Sequence, residues 1–226
     1  MNLHPKLEPL GTALSDKSRI AMLCELMDGR AYTSSELAAH AGITPQTATT
    51  HLSRLRDARL ITSEKSGRSL YHRIAGEQVA QMLEGLSAFT STDHLYRAGC
   101  KRGAGVLIAR RCYNHLAGRL GVAVTQALLD LSALQADGDR FIVNPHAIWS
   151  KLGVTTTDKT VKRCLDWTER RAHISGPLAT RMMTSALEKG WLRQGPNRAL
   201  HVTPAGARAY ADLLNLDPST WERPTP

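Results

Sequence analysis

The stretch Ile43–Ile74, ITPQTATTHLSRLRDARLITSEKSGRSLYHRI, decides how the rest of the chain is read. Thr44 is a good helix N-cap, and Pro45 suits the first helical position, where its missing N–H would lack a partner anyway. Ile43, Ala48, Leu52 and Leu55 recur at helical spacing and form an apolar stripe. Gln46, Thr47, Thr49, Thr50, Ser53 and Arg54 are then left facing outward, all short or hydrogen-bonding, with no carboxylate among them. A merely solvated helix face usually carries Glu and Lys, so this face suits an anionic neighbour. Two short strands are expected next, Leu60–Ser63 and Ser69–Ile74, with Lys65-Ser66-Gly67-Arg68 as a basic turn between them. From Thr44 to Ala75, six Lys or Arg stand against two acids. A helix shaped for a DNA groove, followed at once by a cationic hairpin, is the outline of a winged helix-turn-helix.

Upstream, Leu14–Met27 is the first clear helix, capped by Ser15 or Asp16, with Ile20, Leu23, Leu26 and Met27 inward. Thr33-Ser34-Ser35-Glu36 is a capping box that opens a short helix over Ser34–Ala41, and Gly42 makes the tight turn into Ile43. Downstream, Glu77–Phe89 is amphipathic, with Val79, Met82, Leu83 and Leu86 on one side. Such a helix suits pairing between two chains, and core packing gives the same pattern.

LSDKSRIAML, SELAAHAGIT, THLSRLRDARLI and GRSLYHRI together resemble the opening helix, turn, recognition helix and wing of the ArsR (arsenic-repressor) family of bacterial transcriptional regulators. The resemblance covers roughly residues 10–90, about a third of the chain. It implies a homodimer that binds a double-stranded DNA operator of two-fold character and represses transcription until an effector arrives. Carried over by position, it implies that Gln46, Thr47, Thr49, Thr50, His51 and Arg54 contact bases or phosphates, with Lys65 and Arg68 of the wing on backbone or minor groove. Two departures stand out. Metal-sensing members carry a Cys-x-Cys pair on the helix that here reads SSELAAHA, or an Asp/His set on the helix that here reads GEQVAQMLEGLSAF, and neither motif is present. Typical members also end near residue 90, whereas this chain continues for about 130 residues.

At 226 residues and 42% hydrophobic content, the chain has room for two modest domains, each with its own core. No apolar run approaches the roughly 18–20 residues a membrane helix needs, and MNLHPKLEPLGTAL lacks the order of a secretory signal. A globular, cytoplasmic protein with no membrane partner is expected. Cys24, Cys100, Cys112 and Cys164 are scattered, which argues for free thiols over a disulfide frame, and Cys24 reads as an inert hydrophobe on the apolar face of its helix. The net charge is +9, yet residues 1–95 hold ten basic and ten acidic side chains. The whole excess therefore lies in residues 96–226, as a solvated basic surface or as a preference for an anionic neighbour. No nucleotide-binding glycine loop, G-x-S-x-G or HExxH occurs, so no enzyme is expected.

The expected fold is mainly α with small β-wings: a winged helix-turn-helix over 1–95, then a helical domain over 96–226 for effector sensing or dimer stabilisation. Within the second, helices are expected from Val106 towards Ala117, over Arg119–Leu134, Thr160–Glu169 and Gly176–Lys189, and from Pro204 to about Leu214. The last of these, with the hairpin before it and Gly176–Lys189, outlines a second winged-helix-like unit. An echo marks this half. His115-Leu-Ala-Gly118 resembles His173-Ile-Ser-Gly176, each with a cysteine upstream (Cys112, Cys164) and an adjacent arginine pair, Arg110-Arg111 and Arg170-Arg171. Three readings are open. Cys112, His115, Cys164 and His173, with Asp166, can converge on zinc or a thiophilic oxyanion, giving a metal- or thiol-redox-responsive regulator. Alternatively, His115, His173, Arg111, Arg171 and Trp167 can line a pocket for an anionic or aromatic small molecule. The plain alternative is that both echoes are first turns of packed helices.

Overall fold

The computed structural model describes residues 6–87, 89–90, 101–196 and 198–222, and the chain divides after Ala80 into two compact units. In the first, α1 (Glu8–Leu14) and α2 (Lys17–Leu26) meet at Asp16, whose carboxylate accepts from the Ser18 and Arg19 N–H groups. The expected helix with its Asp16 cap is α2, and α1 is a further helix upstream of it. Arg19 ties the two together: it is buried, and its guanidinium donates to the Ala13 and Thr12 carbonyls, closing off α1. The helix face is rotated accordingly, so that Ile20 is exposed while Met22, Leu23 and Leu26 are buried. Cys24 is exposed as well, contrary to its expected place in the core.

Thr33 caps α3 (Ser34–Ala41) through a complete capping box with Glu36, and Gly42, in the left-handed region, ends it. Thr44 caps α4 (Pro45–Asp57) by accepting from the Thr47 N–H. The hairpin β2 (Ile61–Ser66) and β3 (Ser69–Ile74) is longer than expected: it pairs to Ser66↔Ser69, placing Lys65 opposite Leu70 within the strand and only Gly67 and Arg68 in the turn. A two-residue strand that the sequence did not reveal, β1 (Tyr32–Thr33), joins β3 as Tyr32↔His72 and Thr33↔Tyr71. His72 sits buried beneath it, with its ring nitrogens 3.0 Å from Ser34 Oγ and 2.8 Å from Ser63 Oγ. Helix, turn, helix and wing are all in place. Helix α5 (Glu77–Ser87) follows the wing.

The second unit holds more helix than strand, as expected, but it carries more strand than small wings would supply. After α6 (Lys101–Ile108) the chain turns into a tight hairpin, β4 (Arg110–Cys112) and β5 (His115–Ala117), where a continuing helix was expected. The reversal occurs at Tyr113 and Asn114, with Tyr113 in the left-handed region. Helix α7 (Gly118–Asp130) leads into a four-stranded antiparallel meander: β6 (Leu134–Asp137), β7 (Arg140–Val143), β8 (Thr160–Leu165) and β9 (Ala172–Ser175). A short helix, α8 (Ile148–Lys151), bridges β7 and β8. The expected helix over Thr160–Glu169 is therefore a strand, paired on both edges with β7 and β9. Helix α9 (Pro177–Glu188), the hairpin β10 (Leu192–Gln194) and β11 (Leu200–Val202), and α10 (Pro204–Leu214) complete the unit. Phe141, Trp149, Leu178, Tyr210 and Trp221 are among the side chains that fill one continuous core. Among the described residues, no helix is long and apolar enough to cross a membrane.

Candidate nucleic-acid interface and a buried Cys/His cluster

The apolar stripe of α4 is buried at Ala48, Leu52 and Leu55, which fixes the rotation of the helix. Gln46, Thr47, Thr49, Thr50 and Arg54 are exposed as a result, and Ser53 is half-buried beside them. The threonine hydroxyls are held by their own helix: Thr49 donates to the Pro45 carbonyl at 2.9 Å, and the Thr44 and Thr47 hydroxyls lie 2.9 Å apart. His51 differs from this row. Its Nδ1 lies 3.0 Å from the Arg19 guanidinium and 4.0 Å from Asp16, so the ring ties α4 back to α2. On the hairpin, Lys65 and Arg68 are exposed. The other wing arginine, Arg73, pairs across the strands with Glu64 at 3.6 Å.

In the second unit, two hairpins each set a cysteine directly opposite a histidine. Cys112 pairs with His115 across β4 and β5, and Cys164 with His173 across β8 and β9. All four side chains are buried, and their donor atoms lie within 4.8 Å of one another. Cys112 Sγ and Cys164 Sγ are 4.0 Å apart, and the Nε2 atoms of His115 and His173 are 3.1 Å apart. The neighbouring Cys164 thiol and burial push the Cys112 thiol well above its ordinary range.

Asp166 anchors the cluster from behind. It is fully buried, pairs with Arg110 at 2.9 Å, and accepts from the Gly118 N–H at 2.7 Å and from Thr168. Its Oδ2 also stands 3.8 Å from His173 Nδ1. Burial alone would raise the Asp166 carboxyl, but Arg110 and His173 outweigh it and hold the group below the usual carboxylate range. The Arg110 guanidinium also stacks over Trp167 at 5.0 Å and lies 4.0 Å from Glu84, which Arg198 meets at 3.1 Å.

Known proteins place the chain. Residues 16–63 match the model of "Bacterial regulatory protein, arsR family". The chain is 35% identical over 224 residues to the uncharacterized HTH-type transcriptional regulator YdfF of Bacillus subtilis, covering 95% of this chain and 99% of YdfF. It belongs to the ArsR family of bacterial transcriptional regulators. A shorter relative, the HTH-type transcriptional regulator CmtR of Mycobacterium tuberculosis, is 38% identical over 77 residues, which is 34% of this chain and 64% of CmtR. A solved structure described as the cadmium metal-sensor CmtR of Mycobacterium tuberculosis is 31% identical, covers 38% of this chain and 86% of its own, and has a TM-score of 0.32. The match to YdfF thus extends through the second unit, which the match to CmtR does not.

In this ArsR-family regulator, the structure brings together Cys112, His115, Cys164, His173 and Asp166, with Arg110 paired behind Asp166. Arg111 is half-buried, and Arg171 is exposed, donating to Gln126 at 2.9 Å along an open cleft of about 460 Å³ that also includes Arg119 and Glu169. Trp167 faces Arg110. The enclosed apolar cavity near Leu116, Ile174 and Trp191 holds about 30 Å³, far below the roughly 300 Å³ at which small-molecule sites begin. Arg110 is the buried partner that sequence reasoning placed only in an echoed arginine pair. Its sole signal was repetition, and repetition did not distinguish it from Arg111.

Proposed function

We propose that this ArsR-family regulator is a homodimeric repressor that reads an operator with α4 and grips the flanking backbone with its wing. The observation that carries the reading is the exposed row Gln46, Thr47, Thr49, Thr50 and Arg54, free of carboxylates and accompanied by exposed Lys65 and Arg68. Gln and Arg offer bidentate hydrogen bonds to base edges, and the wing cations neutralise phosphates. His51 serves the fold in this reading, because its contacts run inward. Residues 1–95 form the DNA-binding domain. Residues 96–226 bind an effector or stabilise the dimer.

The elements α9, β10, β11 and α10 support a second winged-helix-like unit used for packing. Two of its basic side chains are engaged internally: Arg181 pairs with Asp158, and Lys189 donates to the Lys151 carbonyl and lies over Trp191. The test is fluorescence anisotropy of the full chain on promoter fragments upstream of its own gene, at low and physiological salt. Tight binding to one fragment, resistant to competition by scrambled duplex, is the expected result. Equal affinity for every duplex would overturn the sequence-specific reading.

A further inference from the structure

We infer that Cys112, His115, Cys164 and His173 form a closed tetrahedral site for zinc, or another d10 cation, that clasps the β4–β5 and β8–β9 hairpins together. The inference stands on the second unit alone and does not depend on the DNA-binding reading. With Zn–S near 2.3 Å and Zn–N near 2.0–2.1 Å, a tetrahedral S2N2 site has an S···S edge of about 3.8 Å and an N···N edge of about 3.4 Å. The corresponding separations here are 4.0 Å and 3.1 Å. No donor pair exceeds 4.8 Å, so closure around an ion needs movements of about 1 Å or less.

The histidine orientations argue the same way. His173 directs Nδ1 towards Asp166 Oδ2, and His115 Nδ1 lies 3.5 Å from Asn114 Oδ1, so both outer nitrogens face an acceptor. A proton on each Nδ1 leaves two Nε2 lone pairs facing each other at 3.1 Å, an arrangement that a cation between them relieves. The backing carboxylate is a common partner of a metal-bound imidazole. Charge closes too. Two thiols lose their protons to solvent as they bind, and two thiolates with one divalent ion make a neutral centre, while Asp166 is neutralised by Arg110.

Two thiolates and two imidazoles in tetrahedral array select zinc over the hard cations, which prefer oxygen. With four protein ligands, all buried, no position is left for a substrate. The centre is structural. It is also distinct from the two motifs whose absence from α3 and α5 the sequence showed.

Metal analysis and cobalt substitution of the full chain, purified under reducing conditions, test this. Expected are one zinc per chain and, after demetallation, a Co2+ derivative with the d–d absorption of a tetrahedral ion and a thiolate-to-cobalt charge-transfer band. Binding should release protons, chelator should lower the melting transition, and the Cys112→Ser/Cys164→Ser variant should lose both metal and charge-transfer band. If that variant fails to fold, the wild-type cobalt spectrum decides alone. Absence of zinc together with a weak, octahedral cobalt spectrum from protein whose thiols titrate as reduced would overturn the site. Anisotropy on DNA in parallel separates the readings: intact metal with no DNA binding removes only the regulator proposal, and the reverse removes only the metal site.

Discussion

Asp166 and Arg110 show what a single buried pair commits a protein to. Both side chains are fully buried, and each is the other's principal countercharge. Asp166→Asn keeps the shape but leaves Arg110 with only the longer contact to Glu84, which Arg198 shares, and such a break costs about 3–5 kcal/mol. Urea denaturation of the full chain is expected to show that loss. Arg181→Ala, which opens the partly exposed pair with Asp158, is expected to cost about 0–1 kcal/mol. His72 gives the pH dependence. Burial, reinforced by nearby Arg56, holds its pKa below the ordinary histidine value. The unfolded chain therefore takes up a proton first, so its contribution is complete above about pH 6.5 and is lost as pH falls towards the folded value. His72→Gln is expected to flatten that slope in denaturation midpoints measured between pH 7.5 and 5 (a range of about 2–3 units around the reference value). Asp16 and Glu36, both lowered by backbone hydrogen bonds, act only at more acid pH. On DNA, Arg54→Ala is expected to relax base preference, whereas Lys65→Ala or Arg68→Ala weakens all duplexes alike and lowers the salt slope by about one.

At the scale of elements, local chemistry was readable and non-local chemistry was not. The caps at Thr33 and Thr44 depend on neighbours three residues away, and both are present where the sequence placed them. Thr44→Ala is expected to cost about 1 kcal/mol, read as a lower denaturation midpoint. Strand β8 was misread because Val161, Cys164 and Leu165 follow helical spacing. In a strand, residues 161 and 164 point to opposite faces, and both are buried because Val161 faces the main core while Cys164 packs with Cys112 and Ala117. The echo was legible as repetition but not as structure. Both copies are strands delivering a histidine and then a glycine at positive φ, Gly118 at 80° and Gly176 at 90°, ahead of a helix. A Cβ at Gly118 would stand 2.9 Å from the Leu107 carbonyl, so Gly118→Ala is expected to be destabilising in the same denaturation assay. The cap at Asp16 was legible too, but the tie from Arg19 back to α1 had no such signal, since its acceptors are carbonyls that any sequence supplies.

For the whole molecule, the +9 net charge already subtracts the acids, so ion pairs leave the excess intact while fixing where individual cations stand. In the second unit, Arg110, Arg181 and Arg198 pair with carboxylates, and Arg163 donates to the Gly138 carbonyl. The cations are structural ties as much as surface field. Dimer formation makes a further prediction. Leu86 and Phe89 are exposed on and just beyond α5, Phe89 at 91%. Phe89→Asp is expected to shift the chain towards monomer in sedimentation, with a parallel fall in operator affinity.

The opposed Cys–His couples carry a consequence for biosynthesis. Their sulfurs come from positions 52 residues apart, and their imidazoles from positions 58 apart. On a growing chain, the helix-turn-helix leaves the ribosome complete while only the first hairpin of the later cluster is made. A nascent protein stalled between the hairpins would hold half a coordination set and a finished reading head, so acquisition of the ion would mark arrival of the second hairpin, ahead of α9 and α10.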